Sequence, residues 1–378
     1  MIYLDNAATT FPKPNCVNEA ISSFIQNECG NPGRSSHKLS KISSDYIFEA
    51  RELVAKLFNA SLENVVFTLN TTYALNFAIK TLTQDGSHIL ISDIEHNSVL
   101  RPVFSMCKNN HCSYDIFSSN GSNEEILENI KNKLTKKTKL IVCAHQSNVG
   151  CRKLPIREIG NLCEKNGITF IVDGAQSAGI YDIDMKACNI NALCVPGHKG
   201  LYGPQGLGIL IFNDSTPLKT IIEGGTGFDT FNRNMPSALP EILEAGTPPT
   251  PAIVGLCSSI KWINKITIEK IRMHEESLYN LLLSLLSSNE KITVYSMNNY
   301  SGSTLLFNIN GLSSQRVATL LNEKNICVRE GFHCSPLAHM LLNTGNNGAI
   351  RVSFSIFNTK LDVYALYDAL LDIIDTKI

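Results

Sequence analysis

Residues 195–212 read VPGHKGLYGPQGLGILIF. The stretch opens at the end of one apolar run, NALCVPG (191–197), and closes in another, GILIF (208–212). Each run is short, rich in Ile, Val and Leu, and bounded by glycine, the pattern of a strand buried on both faces. Between them stands Lys199, next to His198 and among glycines. A lone lysine is ordinarily a solvated surface charge. A lysine placed directly after a buried strand and sheltered from water can lose its proton and become a nucleophile, as Schiff-base lysines do. The glycines would let backbone approach a ligand closely.

Working outward, the same kind of run recurs as VVFT (65–68), HILIS (88–92), KLIVCAH (139–145) and TFIVD (169–173). Helical patterns lie between several of them: NTTYALNFAIKTL (70–82), NEEILENIKNKL (123–134) and LPIREIGNLCEKNG (154–167), the last with Gly167 as its C′ residue. Strand alternating with helix predicts an α/β unit with a mostly parallel sheet. Residues 223–251, rich in Gly, Pro and Thr, read as a long ordered loop, and 252–286 as one long connecting helix. A second, smaller α/β unit follows: TLLFNIN (304–310), ICVRE and AIRVSF as strands, SSQRVATLLNEKN (313–325) and LDVYALYDALLDIID (361–375) as helices.

The 378 residues suggest two domains, and the 43% hydrophobic and 18% charged composition is that of a soluble globular protein. A net charge of −1 gives no field favouring nucleic acid or a membrane surface. The start, MIYLDNAATTFPKP, lacks the basic and apolar regions of a signal peptide, and no run reaches the roughly 18–20 apolar residues that span a bilayer. The expected compartment is the cytoplasm. Twelve cysteines are scattered without a CxxC pair, which argues against a zinc or iron–sulfur site and predicts mostly reduced, core-packed thiols.

Ligands of such sheets bind beyond the carboxyl ends of the strands, so the residues just after each run are the candidates. Asp173 ends TFIVD, and a carboxylate buried there needs a partner such as a pyridinium nitrogen, which would keep pyridoxal phosphate (PLP) electron-withdrawing. Thr71 and Thr72 stand where a strand hands over to a helix, as plain caps or as part of an anion site. His96, in EHNSV, could stack on a flat ring, and Asn148, in HQSNVG, could donate to a ring hydroxyl. Cys334, in VREGFHCSP (328–336), would act as a thiolate, which nearby cations such as His333 or Arg329 would favour.

YLDNAATTFPKP, EHNSV, HQSNVG, VDGAQ, GHKGLYGPQGLG, EAGTPPTP, VREGFHCSP and IRVSFSIFNT occur in that order. Together they resemble the class V aminotransferase-like PLP enzymes of fold type I, and within them the cysteine desulfurase and selenocysteine lyase group, closest to the type II desulfurases with their compact cysteine loop. The resemblance covers essentially the whole chain. It implies a large PLP-binding domain over 15–255, with 1–14 and 256–378 forming the small domain, and a homodimer. It implies that Lys199 holds PLP and moves protons at the substrate Cα, and that Asp173 and Gln176 contact the ring nitrogen and ring oxygen. His96 stacks on the ring. Thr72, His198 and Thr71 hold the phosphate, and Thr247 reaches the phosphate of the neighbouring subunit. Asn148 and Arg351 hold the substrate, with Arg351 forking onto its carboxylate; Arg329 could assist or be structural. Cys334 takes the sulfur of L-cysteine as a persulfide and passes it to an acceptor protein, with iron–sulfur cluster assembly, tRNA thiolation and selenophosphate supply as possible destinations. Selenocysteine lyase and class V aminotransferase are the alternative activities. Two departures stand out: Pro196 where relatives often carry a phosphate-binding serine, and Gly33 where they may have histidine.

Overall fold

Six apolar runs of the first two-thirds of the chain all become strands, because each is short, β-branched and stopped by a glycine or a polar residue. The computed structural model describes every residue except 34, 110, 214–217, 228–229, 296–301 and 378. In chain order, β1 (Ile2–Tyr3), α1 (Asn15–Asn27), α2 (Lys38–Phe58), β2 (Val65–Thr68), α3 (Thr71–Leu82) and β3 (His88–Ser92) come first. They are followed by α4 (Asn97–Asn109), β4 (Ser113–Phe117), α5 (Asn123–Lys133), β5 (Thr138–Ala144), α6 (Ile156–Asn166), β6 (Thr169–Asp173), β7 (Ala192–Pro196) and β8 (Gly208–Phe212). The remainder holds α7 (Thr250–Ile266), α8 (Ile268–Ser287), β9 (Ile292–Tyr295), β10 (Thr304–Ile309), α9 (Ser314–Glu323), β11 (Ile326–Cys327), α10 (Pro336–Leu341), β12 (Ile350–Ser353) and α11 (Lys360–Lys377).

The central sheet has seven strands in the order β2-β8-β7-β6-β5-β3-β4. Every pairing is parallel except the two made by β8, which runs antiparallel to β2 and β7. Alternate residues of each strand face opposite layers. Ile141, Cys143, Phe170, Val172, Leu193 and Val195 pack with Val54, Ile159 and Ile260 of α2, α6 and α7. Leu140, Val142, Ile171, Ala192 and Cys194 pack with Leu75, Ile79 and Val103 of α3 and α4. Both faces are therefore dry, which is why the runs are uniformly apolar. Each buried Val, Leu, Ile or Phe among them contributes about 1.5–3 kcal/mol by leaving water. The edge strand β4 (SYDIF) is mostly exposed and carries no apolar run in sequence.

A three-stranded antiparallel sheet, β12-β10-β9, packs Leu305, Phe307 and Val352 with Leu282 of α8, Val317 of α9 and Leu370 of α11. β1 pairs in parallel with β11, joining the start of the chain to this unit.

The expected single helix over 252–286 is two helices. Thr267 takes φ 79, ψ 138, which no α-helix can contain, and its hydroxyl accepts from Lys270 N–H to start α8. Gly167 closes α6 in the left-handed conformation at φ 61, as its position predicts. The expected loop over 223–251 contains no helix or strand before Thr250 among the described residues; 228–229 lie outside them. No described helix is long and apolar enough to cross a membrane.

Candidate active site

A cleft opens beyond the carboxyl ends of β2, β3, β5, β6 and β7. The loop after β3 supplies His96 and the first turn of α4 Ser98; the loop after β5 supplies Gln146 and Asn148; Asp173 ends β6 and the loop after it supplies Gln176, and the loop after β7 supplies His198 and Lys199. Thr71 and Thr72 line it from the start of α3. Eight residues expected from sequence are thus brought together, because parallel strands deliver all their following loops to one edge.

The threonines are not the cap of α3. Asn70 is: its side chain accepts from Tyr73 N–H. That leaves Thr71 and Thr72 in the first turn, facing the cleft at the positive end of the helix. The glycines around Lys199 have a task within the protein. A Cβ on Gly200 would stand 2.3 Å from the Ala178 carbonyl oxygen, and one on Gly179 would stand 2.1 Å from the Gly200 oxygen. They let the loop after β6 press on the loop carrying Lys199. The N-terminal segment braces that loop from the other side: Lys13 Nζ donates to the His198 carbonyl at 2.7 Å, and Thr10 N–H to the same oxygen at 3.1 Å.

Electrostatics follow from enclosure. Burial pushes the Lys199 amine down to about 8, against the pull of Asp173 and with help from Arg351 and Arg329. Asp173 is fully buried, which raises its pKa; Ala175 N–H donates to its Oδ1 at 2.9 Å. Burial, then the Lys199 charge, lowers His96 to about 4, so its ring is neutral at pH 7. Ser98 N–H donates to His96 Nδ1 at 3.0 Å, which puts the ring proton on Nε2. His198 is lowered to about 4, chiefly by burial, and its Nδ1 is buried with no hydrogen-bond partner among the described residues, as is Gln146 Oε1. Orphaned polar atoms in a cleft that also holds a buried carboxylate and a low-pKa amine are groups shaped for a polar ligand. A phosphorylated pyridine aldehyde matches them: amine to aldehyde, carboxylate to ring nitrogen, helix start and hydroxyls to phosphate.

Cys334 comes to the mouth of this cleft. It is exposed, and Thr72, His96 and Ser98 line both the cleft and the groove where Cys334 lies. Asn97 N–H donates to the Cys334 carbonyl at 2.8 Å, while Asn148 Nδ2 donates to the His333 carbonyl at 2.8 Å and Asn148 Oδ1 accepts from Ser335 Oγ at 2.6 Å. Asn148 therefore ties the cysteine turn to the sheet while lining the cleft. His333 supplies no positive charge to the thiol: burial and the nearby Arg351 push it down to about 2. Seven of the other cysteines are buried, as core packing predicts.

Arg351, in β12, is almost wholly buried; its guanidinium donates to Asp5 Oδ1 at 2.7 Å, and its Nε has no partner among the described residues. Arg329 bridges its backbone and is half-buried. Thr247 is not in the cleft; it lines a separate depression with Phe67, Tyr73 and Phe77. Pro196 ends β7 opposite Gly208 and does not line the cleft. Gly33 takes φ 73 at an exposed turn. Gln146, Ser98 and Asn70 line the cleft without having been picked out, although the first two lie inside the motifs quoted above.

A mostly parallel sheet whose loops converge on a half-buried lysine and a buried aspartate defines the class. The chain belongs to the aminotransferase class-V family, whose model matches residues 2–366. It is 32% identical to a probable cysteine desulfurase of Pyrococcus abyssi, over 99% of this chain and 94% of that one. It is 30% identical to another from Vibrio cholerae, again over 99% and 94%. Among solved structures, a cysteine desulfurase from Thermococcus onnurineus NA1 superposes with a TM-score of 0.89 at 29% identity, over 99% of this chain and 94% of that one. The cysteine desulfurase CsdA of Escherichia coli gives 0.89 at 27% identity, over 100% and 95%.

Proposed function

We propose that the chain is a PLP-dependent cysteine desulfurase that converts L-cysteine to L-alanine and takes the sulfur onto Cys334 as a persulfide. One observation carries this reading: an exposed cysteine lies in a groove that shares Thr72, His96 and Ser98 with the cleft of Lys199. The near-full-length similarity to proteins named cysteine desulfurases supports it.

Lys199 holds the cofactor and then carries a proton to and from the substrate Cα, a task suited to an amine lowered to about 8. Asp173 keeps a proton on the ring nitrogen. His96, neutral and fixed by Ser98, stacks on the ring, and Gln176 contacts the ring oxygen. Thr71, Thr72 and His198 hold the phosphate without the help that a serine at 196 would give. PLP held there would supply an electron-withdrawing ring, the chemistry that makes the substrate Cα acidic. Arg351 takes the substrate carboxylate, with Asn148 and Arg329 beside it. The Cys334 thiolate attacks the substrate sulfur and a sulfur–sulfur bond forms. The substrate C–S bond breaks, its electron pair stays on carbon, and protonation there yields alanine.

The same reading makes the protein a cytoplasmic homodimer, with Thr247 serving the neighbouring subunit. Its PLP-binding domain spans 15–255, the small domain comprises 1–14 and 256–378, and a dedicated acceptor protein collects the sulfur, iron–sulfur cluster assembly being one destination. The test is mass spectrometry after incubation with L-cysteine. Cys334 should gain one sulfur atom, and Cys334→Ala should gain none and stop making alanine. Alanine and sulfide formed by the variant at the full rate would overturn the persulfide step. Alanine from selenocysteine alone would make the protein a selenocysteine lyase.

A further inference from the structure

The turn that carries Cys334 has an uncommon shape. His333 and Cys334 both adopt the left-handed conformation, at φ 51 and φ 56, where neither residue is at ease. Consecutive left-handed residues persist only where the surroundings over-determine them. Ser335 N–H donates to the Phe332 carbonyl at 2.9 Å, which closes the turn but does not anchor it.

Two buried histidines stand behind it. His333 Nε2 lies 3.3 Å from the Arg329 carbonyl oxygen, His333 Nδ1 lies 3.0 Å from His339 Nε2, and His339 Nδ1 lies 2.8 Å from Thr344 Oγ1. The two rings stack at 14° with centroids 5.2 Å apart. With both rings neutral, only one arrangement of protons satisfies all three contacts. A carbonyl oxygen can only accept, so His333 Nε2 carries the hydrogen. A neutral ring has one hydrogen, so His333 Nδ1 accepts, and His339 Nε2 must donate to it. His339 Nδ1 then accepts, and the Thr344 hydroxyl donates. Burial keeps both rings neutral, and the charges that act on them, Arg351 on both and Arg329 on His333, are cations that add to the effect.

We propose that Thr344, His339 and His333 form a one-directional hydrogen-bond chain that holds the Cys334 turn in place. His339 and Thr344, neither of which lines the cleft, are thus positioning residues for the thiol. The thiol's task as sulfur carrier rests on the function proposed above; the chain itself does not.

The experiment reads hydrogen exchange of residues 329–344 in the full-length protein without substrate, for Thr344→Val, Thr344→Ser, His339→Leu and His339→Gln. Removing the hydroxyl or the ring leaves a buried nitrogen unpaired, so Thr344→Val and His339→Leu should exchange about tenfold faster than wild type. Thr344→Ser and His339→Gln restore a donor and should return toward wild type. With L-cysteine, kcat for alanine should fall in Thr344→Val and recover in Thr344→Ser while KM stays unchanged. Exchange in Thr344→Val equal to wild type would overturn the proposal. So would Thr344→Ser exchanging as fast as Thr344→Val, since packing by the methyl would then be the cause. If His339→Leu fails to fold, the threonine pair decides. Because exchange is read without substrate, it judges the chain whether or not L-cysteine proves to be the substrate.

Discussion

Arg351 shows how much of a residue's work is set by what already touches it. Its guanidinium is buried against Asp5, with Nε unpartnered among the described residues, so a substrate carboxylate would meet a half-engaged fork. Lysine keeps the charge but loses the planar fork. Arg351→Lys should therefore raise KM for L-cysteine about tenfold, the worth of one charge-assisted hydrogen bond, with kcat within about threefold. Steady-state alanine assays check this, and a fall in kcat at constant KM would move Arg351 out of carboxylate binding. The identities of Lys199, Asp173 and His96 were legible because each follows an apolar run. Their charge states were not, since these depend on neighbours such as Arg351 that lie far along the chain.

At the scale of elements, the loop after β6 and the loop after β7 act as one piece because two glycines let them touch. Gly179 adds φ 82 to a contact in which a Cβ would meet the Gly200 oxygen at 2.1 Å. Gly179→Ala should destabilise the protein by about 2–4 kcal/mol, from overpacking and a left-handed alanine together, and should lower PLP retention by shifting Lys199. Urea unfolding and cofactor content measure the two effects. Thr267 is the opposite case. Its φ of 79 is strained for a β-branched residue, while its hydroxyl caps α8 only loosely, at 3.4 Å from Lys270 N. Thr267→Gly removes strain of about 1–3 kcal/mol and loses a few tenths in the cap, so its urea midpoint should rise. The apolar periodicity of 252–286 runs straight through this break, which is why the sequence reads as one helix.

Across the whole molecule, burial leaves a signature in pH. His96, His198 and His339 are held near 4, His145 near 3 and His333 near 2, all by desolvation. Their unfolded forms bind protons below about 6.5, so the unfolded state gains protons first and stability falls as pH drops from 6.5 to 4. Glu95 and Glu275, both raised to about 8 by burial, act in the other direction. Folded, they keep protons that the unfolded chain releases above about 4.5, so their contribution is lost as pH rises toward 8. Lys13, lowered to about 7, begins to offset this above pH 7. Five histidines outweigh the two glutamates below 6.5, and the glutamates dominate from there to 8. The cofactor-free protein should be most stable near pH 6.5, as urea midpoints between pH 4 and 8 would reveal; a midpoint rising steadily to pH 8 would contradict it.

The sequence by itself determined the strands, the family and most of the cleft, because short apolar runs specify buried strands and the residues just after them face one edge. Even Cys334 was legible, as a cysteine inside a motif near a candidate lysine. Tertiary structure alone decided what those residues are. It made Asn70 rather than a threonine the cap of α3, made His333 neutral rather than a cation, and tied Arg351 to Asp5. It also brought His339 and Thr344 behind the cysteine turn. Capping can be read from a few neighbouring residues only when one of several candidates is clearly best. Charge and pairing depend on burial and on partners hundreds of residues away, which no local pattern records.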